Sequence, residues 1–214
     1  MNIFSRAFSK QPIATLAREP ITLGECPKGA LKTITARGVM GFVAATPAFP
    51  TYSVTLKTSF GEWDLKKLIY ALQGLNRIAA SARFKEEILK ANCTETQDLT
   101  NEQVYEKLCS GNQLSADDED GVNDFKAVMY RSRFSRVVGY TYLTSATIYF
   151  NSRFFGFPMS IASNVAHEVM HTHGFTHATT WSTSWPYTMN RIIEKLWAEL
   201  CQDIDADFKA WWYS

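Results

Sequence analysis

The stretch AHEVMHTHGFTH, residues 166–177, holds all four histidines of a 214-residue chain. On a helix drawn through 161–173 at about 100° per residue, Ile161, Ala162, Val165, Ala166 and Val169 fall in one arc that faces the core. His167 and His171 are four residues apart, so they stack one turn above the other and outside that arc. Two imidazoles so placed can grip one metal ion, and Glu168 lies beside them on the same surface without being a ligand. A third ligand from further along needs the chain to leave the helix and turn back. Gly174 meets that need, because glycine takes the left-handed conformation that ends a helix at low cost. His177 then reaches the same ion. Three neutral imidazoles leave a fourth coordination position open, the arrangement of a catalytic zinc and not of a closed structural one. His173 points away from the pair and reads as an outer or surface residue.

The spacing H-E-x-x-H-x-x-G-x-x-H is the signature of the metzincin zinc peptidases, and the chain resembles that family at all five specified positions, His167, Glu168, His171, Gly174 and His177. A chance match at five fixed positions has a probability of about one in a million per starting position, so the extended form is specific where HExxH alone is not. The resemblance implies an α+β fold: a mixed twisted sheet, a long backing helix, a zinc-binding active-site helix, and a C-terminal helix after a methionine turn. Met189 is the only methionine after the motif and is the residue expected in that turn. The resemblance also implies one zinc ion and hydrolysis of peptide bonds by a metal-bound water that Glu168 activates. In the astacin-like and serralysin-like branches a tyrosine follows the turn methionine by two residues; here Arg191 stands there and Tyr187 lies two residues before Met189. Tyr187 is therefore read either as a donor to the oxyanion or as a packing residue. The segment between His177 and Met189 is expected to wall the pocket past the cleaved bond, with Trp181 and Trp185 shaping side-chain preference. Ala178, after the third histidine, matches no branch of the family.

Outward from the motif, the upstream order suits that architecture. Residues 1–50 carry five prolines, Pro12, Pro20, Pro27, Pro47 and Pro50, and read as an extension or irregular edge with a short strand around LKTITAR. The catalytic domain is expected over 51–214. Tyr52, Val54 and Leu56 alternate with polar neighbours as in a half-buried strand. Leu65, Leu68, Ile69, Leu72, Leu75 and Ile78 recur at helical spacing behind Asp64 as N-cap, with a break before Phe84. Residues 92–124 are polar; their run ADDEDGVND faintly suggests a calcium loop through Asp118, Asp120 and Gly121, but no glutamate closes it, and a solvated loop is the reading kept. FKAVMY (125–130), VVGYTYL (137–143) and ATIYFN (146–151) are rich in aromatic and β-branched residues, the last two as a hairpin. In the family an antiparallel strand beside the cleft aligns the substrate, and VVGYTYL is the candidate. Ser160 is expected to cap the zinc helix, and a last amphipathic helix is expected from about Met189, with the WWY tail packing its end.

The totals exclude more than they assign. Twenty-two basic and 21 acidic residues give a net charge of +1, which offers no electrostatic argument for nucleic acid or an anionic membrane. No apolar run reaches bilayer length, and a monomer is expected. The N-terminus lacks the apolar core of a signal peptide. Cys26, Cys93, Cys109 and Cys201 form an even set with no CxxC pair. That set favours a secreted or periplasmic protein with two disulfides, Cys93–Cys109 the shortest loop, against four free thiols in the cytoplasm. Cys26 as a latency ligand on the zinc is a lesser alternative. The expected function is a zinc endopeptidase acting on peptide or protein substrates. The alternatives are a narrower zinc amidase or exopeptidase, for instance on peptidoglycan cross-links, and a toxin-like or inactive zinc-binding module.

Overall fold

Strand β2, Thr51–Leu56, carries Tyr52, Val54 and Leu56 into the core as the alternation predicts. The computed structural model of the chain describes residues 32–34, 49–58, 60–94, 97–114, 121–143, 145–177 and 183–213. β2 pairs in parallel with β3, Val122–Tyr130, which pairs in parallel with β5, Thr147–Asn151. Between them in sequence, β4, Gly139–Tyr140, runs antiparallel to β5 and forms the sheet edge, so the expected hairpin is present. β1, Lys32–Ile34, adds antiparallel to the other side of β2 and is the strand expected around LKTITAR. Cys26, Asp118, Asp120 and Trp181 lie outside the described residues.

The periodic run after Phe60 is α1, Glu62–Ala79, whose buried face includes Leu65, Leu68, Ile69, Leu72, Leu75 and Ile78. Its N-cap is Gly61 and not Asp64; Asp64 sits in the first turn and accepts a hydrogen bond from Lys67. The chain breaks at Ala80, and Ser81 caps α2, Ala82–Leu89, by accepting from the Phe84 amide. The polar stretch 92–124 also contains α3, Asn101–Ser110, started by a capping box in which Thr100 and Gln103 satisfy each other's main-chain amides. The motif helix is α4, Pro158–Thr172, with Phe157 at the N-cap and Ser160 already inside the helix. α5, Trp185–Leu200, starts four residues earlier than the apolar pattern suggests, because Pro186 favours the first turn of a helix. Met189 is thus buried inside a helix and not in a turn, which corrects the expected methionine turn. A backbone irregularity at Cys201 separates α5 from α6, Gln202–Trp212. In α6, Trp211 meets Trp63 at a tilt and Trp212 meets it edge-on, as the packing role of the tail requires.

The molecule is therefore a mixed α/β structure: a mixed sheet backed by α1, with α4 packed between α1 and α5. The strands contribute Val54, Phe125, Ala127, Ile148 and Phe150 to one continuous core, and the helices contribute Leu68, Leu72, Val165, Val169 and Leu196. Gly74 lets α5 approach α1, since a methyl group there would lie 2.1 Å from the Trp197 ring. No described helix is long and apolar enough to cross a membrane. The expected Cys93–Cys109 disulfide is not formed. Cys93 bonds to Thr188, Cys109 is buried on α3, and Cys201 lies against the Gly74 carbonyl, all as free thiols.

One polar contact ties the backing helix to the sheet. The Asn76 amide accepts from Tyr52 N at 2.8 Å and donates to Tyr52 O at 3.1 Å. β1 pairs with Val54 to Leu56, and at Tyr52 the Asn76 amide makes the two main-chain bonds that a strand would make. Asn76→Ala leaves two buried main-chain groups unpaired and is expected to cost about 2–4 kcal/mol in urea denaturation.

Candidate metal centre

All five residues of the predicted core arc of α4 are buried, which rotates His167 and His171 to the opposite side, one turn apart. The helix then ends in a two-bond reversal. The Gly174 amide donates to His171 O at 2.9 Å and the Phe175 amide to Met170 O at 3.1 Å, with Gly174 at φ +90°. This is the Schellman pattern, which needs a left-handed residue at Gly174. The reversal brings His177 back over the helix. Its Nε2 lies 3.0 Å from His167 Nε2 and 3.1 Å from His171 Nε2.

Those spacings fit a metal ion. Two nitrogens at about 2.0–2.1 Å from one tetrahedral zinc stand about 3.3 Å apart. Proton placement agrees. His171 Nδ1 lies 2.6 Å from the Phe175 carbonyl and must carry the proton to bond it, so His171 Nε2 presents a lone pair to the centre. His167 Nδ1 is buried against the Pro186 carbonyl and the Asn190 side chain without an ordinary hydrogen bond, and Asn190 Oδ1 is likewise buried and unpaired. Protonation of His167 at Nδ1 suits those neighbours and again leaves Nε2 bare. Burial, followed by the charges of the other two rings, holds His167 down to about 3, and burial lowers His171 and His177 as well. The three rings are therefore neutral near pH 7, the state a metal needs. Among the described residues this is the one group of three histidine, cysteine or carboxylate side chains arranged to hold an ion.

Glu168 is 3% exposed and burial pushes its carboxyl up to about 7. Opposing that rise, Asn164 Nδ2 donates to Oε1 at 3.3 Å, and the Thr141 main chain also bonds the carboxyl. Asn164 sits one turn before Glu168 and is pressed against Gly139 of β4, where a methyl group would lie 2.3 Å from Asn164 Oδ1. The sheet edge thus meets the helix at the carboxylate. Tyr187, on the first turn of α5, stacks on the His177 ring at 4.9 Å and meets His167 edge-on at 4.9 Å.

Trp185 does not join the centre. It is fully buried against Phe175 and lines no open pocket, a correction to its expected role. His173 is also corrected. It is completely buried, with Nδ1 2.9 Å from Asn112 O and Nε2 2.6 Å from Asn123 Oδ1, so it anchors the end of α4 to the segment after α3 and to β3. Asn164, Thr141, Phe175 and Asn190 were not singled out from the sequence. Only Asn164 left a signal there, as a polar residue four before the glutamate.

A methyl group at Gly174 would meet Gln97 at 3.0 Å and Leu114 at 3.2 Å, besides forcing a side chain to positive φ. Gly174→Ala is expected to lose about 1–3 kcal/mol of stability, and to weaken binding of added divalent metal in a chelator competition at least tenfold. The buried carboxyl gives a second expectation. With its value at about 7 in the fold and 4.5 ordinarily, the folded metal-free protein binds more protons there than the unfolded chain. Stability from Glu168 is full below about pH 4.5 and is lost as pH rises through about 7. Metal-free Glu168→Gln should therefore melt higher than wild type at about pH 8, by up to about 3 kcal/mol, and equal to it near pH 4.5.

Comparison with protein-family models, with curated proteins and with solved structures finds nothing that matches the chain, so the functional reading rests on the geometry of these side chains.

Proposed function

We propose that the chain is a zinc-dependent endopeptidase in which His167, His171 and His177 hold the ion and Glu168 is the general base. The observation that carries this reading is the convergence of three imidazole Nε2 atoms at 3.0–3.1 Å beside a buried carboxylate. A purely structural site has no use for that carboxylate, whose burial is costly. Three neutral nitrogen donors with an open side suit zinc in a catalytic setting. The resemblance to the metzincin motif, and a sheet with one antiparallel edge strand beside the zinc helix, support the same class.

When bound, zinc supplies Lewis acidity, polarising a carbonyl and acidifying water. The chain does the rest. β4 lies at the sheet edge, where an extended peptide pairs by strand addition. Asn164 and the Thr141 main chain orient the Glu168 carboxylate. Glu168 takes a proton from the attacking water and delivers it to the departing amine. Tyr187, packed on two of the ligand rings, would be the donor to the carbonyl oxygen as charge develops there.

Digestion of an unbiased peptide library, with and without a chelator, tests the proposal. Wild type should cleave internal bonds and stop when the metal is removed. Glu168→Gln should retain one zinc per chain with hydrolysis reduced at least about a hundredfold, whereas His171→Ala should lose zinc and activity together. Cleavage that survives chelation, or full activity in Glu168→Gln, refutes the mechanism; cleavage of purified cell wall but not of the library points to the amidase alternative.

A further inference from the structure

From Phe125 through His167 the chain contains five basic residues and no acidic one, although the whole chain is nearly balanced at 22 to 21. Four of the five are arginines, Arg131, Arg133, Arg136 and Arg153, and all are exposed. Arg131, Arg133 and Arg136 follow β3 directly and lead into β4, and none of the four forms an ion pair among the described residues. All eight ion pairs among the described residues lie on the helices or their caps.

The loop that carries these arginines is firmly built. Asn151, fully buried at the end of β5, donates from its main chain to Val138 O at 3.0 Å and from its side chain to Val137 O at 3.2 Å. Arg153 donates to Arg133 O at 2.7 Å, and Ser132 and Ser135 accept from loop amides. On the outer face of the sheet, Tyr140 stacks flat on Tyr149 at 4.8 Å and meets Tyr142, which is 59% exposed. Phe134 is 97% exposed within the same loop. Holding like charges together in a pinned loop gains nothing for folding, so the arrangement calls for an anionic partner.

We infer that the loop 131–138 and the adjoining edge strand recognise an acidic stretch of polypeptide next to the bond that is cleaved. This rests on the peptidase reading and specifies its substrate class. The loop runs directly into Gly139 and Tyr140, the strand that meets the Glu168 helix through Asn164, so a chain paired along β4 must pass the arginines. Guanidinium groups bond carboxylates in two-point fashion, and the rigid tyrosine wall packs against an extended backbone. A nucleic acid is the less suitable partner. Net charge +1 gives little long-range attraction for a polyanion, and an edge strand offers main-chain pairing that only a polypeptide can use.

The test uses the full chain and a fluorescein-labelled peptide with four glutamates, against the same peptide with four glutamines. Fluorescence anisotropy with metal-free protein needs no catalysis. The glutamate peptide should bind about tenfold tighter at about 50 mM salt, and the preference should fall below about threefold at about 500 mM. The triple variant Arg131→Ser, Arg133→Ser, Arg136→Ser should lose the preference while binding the glutamine peptide as before. If its melting temperature drops, Arg133→Glu alone should still reverse the preference. With zinc-loaded protein, acidic flanks should lower KM and leave kcat near its value for the glutamine peptide. Equal binding of the two peptides overturns the inference, as does a preference that survives the triple variant, or tighter binding of a single-stranded oligonucleotide through the same arginines. Selective binding without hydrolysis of any peptide would uphold the recognition and count against the peptidase reading.

Discussion

The centre depends on one main-chain reversal. Two hydrogen bonds across Gly174, from its own amide and from that of Phe175, turn the chain so that His177 faces the helix it has just left. The same turn aims the Phe175 carbonyl at His171 Nδ1. A single local structure therefore delivers the third imidazole and fixes the proton of the second on the side away from the ion. The turn is in turn clamped from outside. Gln113 donates to the Thr172 hydroxyl, the Leu114 amide to the Thr172 carbonyl, and His173 reaches Asn112 and Asn123. The segment after α3, far away in sequence, thus holds the end of α4 at the angle the centre requires.

Such a centre is costly without its ion. Three lone pairs converge, and a carboxyl that prefers water is almost wholly buried one residue from the first of them. The fold offsets this with packing on every other side: the core arc of α4 against the sheet and α1, and α5 against its flank. A divalent cation held there would remove the remaining penalty by engaging all three lone pairs and favouring the charged carboxylate, which would couple binding to folding. The exposure of His177, against the burial of His167 and His171, leaves the centre facing solvent on the His177 side.

Much of this was legible in the residue order because the informative patterns were local. Helical spacing of the histidines, the glycine between them, and the alternation of β2 all depend on neighbours within a turn or a strand. What escaped depends on distant contacts or on competing local signals. Met189 looked like a turn residue, but Pro186 starts the helix before it. Trp185 looked like a pocket wall, yet burial against Phe175 removes it from solvent. His173 looked peripheral because its partners, Asn112 and Asn123, are 61 and 50 residues away. α3 was obscured by polar composition, although Thr100 and Gln103 spelled its capping box. The cysteine count suggested bridges, but Cys93 and Cys109 are drawn to different partners, Thr188 and the Tyr105 side of α3.

The edge of the sheet and the base of the proposed reaction form one mechanical unit. Asn164 lies between Gly139 and Glu168, bonded to the carboxylate on one side and in close contact with the strand on the other. Thr141, the residue after β4, adds a main-chain bond to the same carboxylate. A peptide that pairs with β4 is thereby registered against Glu168 without any side chain of the peptide being read. Selectivity must then come from what flanks the strand. On one flank stands the loop of arginines, without ion pairs among the described residues and pinned by Asn151. On the proposed reading, main-chain pairing would set where the bond lies, and charge would set which chains are brought there. The two tasks fall on adjoining residues because both belong to the hairpin that closes the sheet.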